Sequence, residues 1–149
     1  MASFLWRMLH DLLSTQARLY RMGSTKSPKC KMQGCSEEGT LLHELVYCSK
    51  NDQVGQKLIH CLQHYVPGLQ AEAALRLEHG DVEEEVSLPV TLLTAITLNY
   101  IWKERDAGAS IRAYKVGAEL EQYITLLRTT RLCSLAIKLV EMTVSKLKT

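Results

Sequence analysis

Proline and glycine are scarce in this chain, with three and eight among 149 residues. Phenylalanine occurs once, and no stretch alternates apolar with polar residues as a half-buried strand does. The longest uncharged stretch, residues 86–102, contains serine, proline, asparagine and three threonines, which makes it short and polar for a membrane span. These absences argue against a β-sandwich and against a membrane protein, and the many leucines favour a helical core.

The chain also starts without a recognisable secretory signal. Its apolar patch is interrupted by Arg7, His10 and Asp11, whereas a cleavable signal is longer and uncharged. The arginines and the shortage of acids in residues 1–31 leave a mitochondrial presequence as an alternative. We expect an intracellular protein, nuclear or cytoplasmic, in a reducing compartment where clustered cysteines bind metal rather than form disulfides.

What the sequence does contain is a compact set of metal-ligand residues in the order C-x4-C-x7-H-x4-C. The set consists of Cys30, Cys35, His43 and Cys48. Three thiolates and one imidazole are a standard ligand set for structural zinc, and four protein ligands leave no open position for a substrate. The sequence therefore predicts one structural Zn²⁺ and no catalytic metal.

Two other interpretations of these residues stay open. The cysteines can be surface thiols or small buried hydrophobes, because free cysteine packs well in cores. A second cluster of His60, Cys61 and His64 can complete or replace the ligand set, since His60 and His64 share a helix face.

The fold predicted from these patterns is all-α, a small irregular Cys/His loop followed by a helical bundle. We divide the chain into an N-terminal helical lead-in (1–29), a zinc-knuckle-like segment with its following helix (30–66) and a helical C-terminal domain (67–149). Helical periodicity predicts a stripe in residues 3–13, and caps or breakers delimit further helices at 16–22, 40–47, 52–65, 70–77, 87–107, 110–127 and 133–147. The acidic run at 81–85 is predicted to be a solvated loop.

Charge is unevenly distributed along the chain. Residues 1–50 carry seven Lys/Arg against four Asp/Glu, residues 51–100 two against seven, and residues 101–149 nine against five. The cations nearest the Cys/His loop are Arg18, Arg21, Lys29 and Lys31. Such cations beside a compact zinc fold can hold single-stranded DNA or RNA by phosphate contact, or they can simply be a solubilising surface.

Three stretches, in chain order, carry a likeness to a known family: LLSTQARLYRMG, CKMQGC…LLHELVYCSKN, and ITLNYIWKERDAG followed by KVGAELEQYITLLRTTR. Together they resemble the C-terminal region of reverse transcriptases from LINE-like (non-LTR) retrotransposons. In that family a short helix leads into a Cys-Cys-His-Cys zinc segment, and an Ile-Trp-x-x-Arg helix follows. The resemblance implies a module associated with nucleic acid.

The catalytic parts of that family are missing from this chain. There is no Tyr-x-Asp-Asp polymerase motif, and Glu83–Glu85 are not followed by a nuclease pattern. Nothing marks a thiol nucleophile with an oriented base. We therefore expect a non-enzymatic, detached tail, either a host protein or an element fragment, that binds RNA or single-stranded DNA. The alternative is a structural or protein-interaction domain that docks or self-associates through its C-terminal helices.

Overall fold

The computed structural model describes residues 1–129 and 134–149, and within these ranges the chain is helical and contains no strand. An isolated antiparallel bridge joins Lys29 to Glu38. This architecture confirms the all-α prediction with its Cys/His loop near the N-terminal end. The α-helices are α1 (Ala2–Leu9), α2 (Gln16–Arg21), α3 (Val54–Leu62), α4 (Ala71–Leu75), α5 (Glu84–Asp106), α6 (Ala113–Thr129) and α7 (Ser134–Lys148).

The Cys/His loop lies between α2 and α3 and ends in two short irregular turns. One is a π-helical turn, His43–Tyr47, and the other a 3₁₀ turn, Ser49–Asn51. The sequence predicts an ordinary short helix here, so its existence is confirmed but not its form. Single π-turns are rare and often occur at functional sites.

Two predicted helix starts are wrong. Helix α5 begins at Glu84 and not after Ser87, because acidic side chains suit the positive end of the helix dipole. Pro89 therefore lies in the second turn of α5 rather than the first. Helix α6 begins at Ala113 and not at Ser110. At this first residue, the Asp52 carboxylate accepts the Ala113 N–H at 2.8 Å.

One hydrophobic core joins all three segments of the predicted division, since Phe4, Leu45 and Leu98 belong to the same buried cluster. Helix α7 packs on α3, α5 and α6. Ion pairs between Arg128 and Glu141, and between Lys148 and Glu121, show that α6 and α7 run antiparallel.

The apolar stripe predicted for α6 is partly wrong. Val116, Leu120 and Ile124 are buried, but Tyr114 is 59% exposed. The side chain of Leu127 and the whole of Cys133 lie outside the described residues. None of the described helices combines the length and apolar character that crossing a bilayer requires.

A close approach between α3 and the π-turn depends on Gly55. A Cβ at this position would lie 2.6 Å from Val46 Cα and 2.7 Å from the Leu45 carbonyl oxygen. We predict that Gly55→Ala lowers the free energy of unfolding by about 1–3 kcal/mol, because backbone atoms must move. Thermal and urea unfolding measure this.

The matched control is Gly117→Ala in the second turn of α6. Its nearest outside atom is the flexible Lys148 Cγ, at 3.3 Å, so the melting temperature is expected to stay unchanged or rise slightly, as alanine favours helix. Equal stability losses in the two variants would contradict the proposed backbone clash at Gly55.

We predict that the buried side chain of His79 makes stability sensitive to acid. Its side chain is buried, Nε2 lies 3.1 Å from Thr91 Oγ1, and Nδ1 has no hydrogen-bond partner. Burial lowers the pKa of His79, so the unfolded chain binds the proton more readily and stability falls as pH drops below about 6.5.

We expect His79→Gln to lose less stability on acidification than the parent protein. The melting temperature of the variant minus that of the parent should therefore become more positive as the pH falls from 7.5 to 5.5. His60→Gln, at an exposed site on α3, controls for the loss of an imidazole. A difference for His79→Gln that stays constant with pH would show that His79 is not the acid-sensitive group.

Candidate metal centre

The four predicted ligands converge in space. Their ligand atoms, three Sγ and the imidazole nitrogen, all lie within 4.8 Å of one another. Cys30 Sγ is 3.9 Å from Cys48 Sγ, and Cys35 Sγ is 3.4 Å from His43 Nε2. Cys30 and Cys48 are buried and the other two half-buried. This group could hold a metal ion. Among the described residues, its three cysteines and Cys61 form no disulfide.

A tight hairpin-like loop brings the first two ligands together. The Cys30 N–H donates to the Glu37 carbonyl at 2.8 Å, and the Cys35 N–H donates to the Met32 carbonyl at 3.0 Å. Gly34 adopts a φ of +79°, a conformation that glycine reaches without strain. The loop therefore turns back so that both thiols face the same point.

The π-turn does the same for the other two ligands. In an α-helix, residues five apart are rotated by about 140° around the axis, so His43 and Cys48 would point apart. Here the Cys48 N–H donates to the His43 carbonyl at 2.7 Å, which closes the wider five-residue turn. The His43 N–H is held by Thr40 Oγ1 at 3.2 Å. The irregular helix thus places both side chains on one side.

Helix α2 packs directly on this loop at Gly39. A Cβ on Gly39 would lie 2.6 Å from both Gln16 Cβ and Glu44 Oε1, so only glycine fits. The Glu44 carboxylate accepts the Gln16 N–H at 3.0 Å and so caps α2. Glu44 itself lies in the first turn after Thr40, where its N–H donates to the Thr40 carbonyl at 2.9 Å. Burial raises the pKa of Glu44.

A buried arginine from α5 completes the centre. Arg105 is 1% exposed, and its Nη2 donates to Cys30 Sγ at 3.1 Å. Its Nη1 donates to Asn51 Oδ1 at 2.9 Å, and Asn51 Nδ2 in turn donates to the Glu44 carbonyl at 2.7 Å. No carboxylate of the described residues lies within 4.0 Å of this guanidinium.

Because a buried charge needs a counter-charge, a metal ion that deprotonates these thiols would give Arg105 its counter-charge. Burial raises the pKa of Cys30. Burial would also raise the pKa of Cys48, but hydrogen bonding and the charge of Arg105 lower it overall. Burial and the same arginine lower the pKa of His43, which favours the neutral imidazole that a metal ligand requires.

The alternative ligands lie outside the cluster. His60 and His64 are exposed on or beside α3, with ring centroids 5.8 Å apart, and Cys61 is buried. The converging group in the described part of the chain does not include them.

The predicted cations of α2 have local partners. Arg18 is half-buried and its Nη1 donates to the Leu12 carbonyl at 3.2 Å. Arg21 is exposed and lies 3.7 Å from Asp11. Neither of these arginines lies beside Lys31 in the cleft described below.

The two lysines of the Cys/His loop are exposed. Lys29 pairs through its backbone with Glu38, and Lys31 Nζ lies 4.0 Å from Asp106 Oδ1. Lys31 lines a cleft beside the metal centre, together with Lys50 and Arg112. Of the four predicted cations, Lys31 lines this cleft and Arg18, Arg21 and Lys29 do not.

Arg105, Asn51, Lys50 and Arg112 were not predicted as site residues. The one sequence signal was the Ile101-Trp102-x-x-Arg105 pattern, which carried the family resemblance without a role for the arginine. An arginine placed among apolar helix positions is a sign of a buried ion partner.

We predict that Arg105→Met lowers metal affinity about 10–100-fold, because it removes a hydrogen bond and a positive charge from the ligand sulfurs. Competition with a chromophoric chelator measures this. Arg105→Lys should retain part of the affinity, and Lys103→Met, on the exposed side of the same helix, should retain all of it. Unchanged affinity in Arg105→Met would contradict the role of Arg105.

Comparison with known proteins adds no relative. Neither protein-family models, nor curated proteins, nor solved structures give a match to this chain. The likeness to LINE-type reverse transcriptases therefore rests on the residues quoted above, and the metal centre is defined by its own geometry.

Proposed function

We propose that the metal is zinc and that it is structural. In a tetrahedral site with Zn–S bonds of about 2.3 Å, neighbouring sulfurs lie about 3.8 Å apart. The 3.9 Å between Cys30 and Cys48 fits this edge. The 3.4 Å between Cys35 and His43 is close to the sulfur–nitrogen edge of about 3.6 Å. Three soft thiolates also favour zinc over oxygen-seeking cations.

The protein we infer is a non-enzymatic module that binds RNA or single-stranded DNA weakly and with little sequence preference. The convergence of four ligands on a loop with exposed cations carries this proposal. Two tyrosines next to the loop, Tyr20 and Tyr47, are 48% and 49% exposed and offer rings on which bases can stack. The likeness to a retroelement reverse-transcriptase tail supports the same class of ligand.

A protein-interaction domain is the second candidate. Tyr114 and Leu126 expose 59% and 56% of their surface on α6, and exposed apolar groups favour association when they form a patch. A mass that rises with protein concentration, without nucleic-acid binding, would favour this function over the first.

The zinc proposal predicts one equivalent of zinc per purified chain. Chelation should reduce helical circular dichroism and lower the melting temperature, because structural zinc is bound on folding. Cys35→Ala should lose the metal, whereas Cys61→Ala should keep it. Full helicity and an unchanged melting temperature after complete removal of the metal would contradict a structural role.

Nucleic-acid binding predicts a salt-dependent affinity for a 12-nucleotide oligo(U), because phosphate contacts release counterions. Fluorescence anisotropy at rising KCl concentrations measures this. The double variant Arg21→Glu/Lys29→Glu should bind more weakly, and Lys138→Glu, an exposed site on α7, should bind normally. An oligo(U) affinity that does not fall with salt would refute the proposal.

A further inference from the structure

A cleft of about 790 Å³ lies beside the metal centre. Its walls come from the Cys/His loop, the 3₁₀ turn and the segment that links α5 to α6. This volume is within the range of about 300–1,000 Å³ that small-molecule sites occupy. The lining is mainly polar, with Ser49, Ser110 and Gln33 among its hydrogen-bonding side chains.

Three exposed cations surround this cleft: Lys31, Lys50 and Arg112. In the described ranges, neither Lys50 nor Arg112 has a carboxylate within 4.0 Å. The two acids of the lining are Asp52 and Asp106. Two cations are therefore left without a protein counter-charge at the mouth of one cleft.

Both acids are already engaged. Asp52 Oδ2 accepts the Ala113 N–H at 2.8 Å, so its charge serves the start of α6. Asp106 Oδ1 faces Lys31 Nζ at 4.0 Å, with both side chains exposed. An incoming anion would compete with Asp106 for Lys31 and meet Lys50 and Arg112 directly.

The position of Arg112 is unfavourable for helix stability. It directly precedes α6, where the helix dipole favours anions and disfavours cations. An anion bound beside Arg112 would offset this repulsion between the cation and the helix dipole.

Arg105 forms part of the cleft wall from behind. Arg105 is 1% exposed and lines the cleft. Its Nε is buried and has no hydrogen-bond partner. Its two other nitrogens hold Cys30 and Asn51. Arg105 therefore backs the cleft wall, and the charges that an anion in the cleft can reach are those of Lys31, Lys50 and Arg112.

We propose that the cleft is a phosphate subsite that takes one phosphate of a nucleotide, with Lys31, Lys50 and Arg112 as its contacts. The inference rests on the proposed function and locates the nucleic-acid contact on the α5–α6 side of the metal centre. The same chemistry is offered by a free nucleotide, which the experiment separates from a nucleic-acid strand.

The test measures oligo(U) affinity against KCl concentration for the zinc-loaded full chain. Lys50→Gln/Arg112→Gln should weaken binding about tenfold or more and make the salt slope shallower by about 0.7, the value expected for the loss of one phosphate contact to a single strand. Asp106→Asn should tighten binding, because it frees Lys31. Lys138→Gln is the matched control and should change neither quantity.

Folding is monitored separately by zinc content and melting temperature. Arg112→Gln should keep both or raise the melting temperature, because it removes a cation from the start of α6. Loss of binding with an intact fold therefore reports on the cleft itself. Competition by uridine monophosphate and by inorganic phosphate then identifies the source of the anion.

The outcomes separate the two proposals. If Lys50→Gln/Arg112→Gln binds oligo(U) like the parent protein while Arg21→Glu/Lys29→Glu does not, the cleft proposal fails and the proposed function stands. If uridine monophosphate or inorganic phosphate binds in a Lys50- and Arg112-dependent way but oligo(U) does not, the cleft stands and the proposed function fails. If none of the three binds, both fail.

Discussion

The contact between the Arg105 guanidinium and the Cys30 sulfur is the interaction on which the rest of this structure depends. It joins the last turn of the long helix α5 to the N-terminal Cys/His loop, 75 residues away in sequence. A guanidinium that is 1% exposed needs a negative partner. Three thiolates on one divalent ion would carry a net charge of −1, which the positive charge of Arg105 would balance. A metal ion at the four ligands would thus also neutralise the buried arginine of the helical bundle.

A chain of close contacts extends from this pair. Asn51 bridges Arg105 to the Glu44 carbonyl, and the Glu44 carboxylate caps α2 at Gln16. Gly39 lets these elements approach within contact distance. A metal ion at the four ligands would therefore stabilise α2 and α5 as well as the loop that holds it.

The parts of this arrangement that depend on local sequence could be predicted. The spacing of Cys30, Cys35, His43 and Cys48 is a local pattern, as is the Thr15 cap of α2, whose Oγ1 accepts the Arg18 N–H. Contacts between distant residues could not be predicted. Glu44 caps a helix 28 residues away, and Asp52 fixes the start of α6 from 61 residues away. A single sequence contains no signal for such partners. The π-turn could not be predicted either, because its residues have the same sequence pattern as an α-helix. The hydrogen bond from the Cys48 N–H to the His43 carbonyl, which distinguishes the two, is visible only in the structure.

Zinc-edge X-ray absorption of the purified protein tests the central claim most directly, since it reports the ligands of the bound ion. The account predicts three sulfur neighbours at about 2.3 Å and one nitrogen neighbour at about 2.0–2.1 Å. A shell dominated by oxygen, or a protein that retains no zinc after purification without chelators, would contradict it.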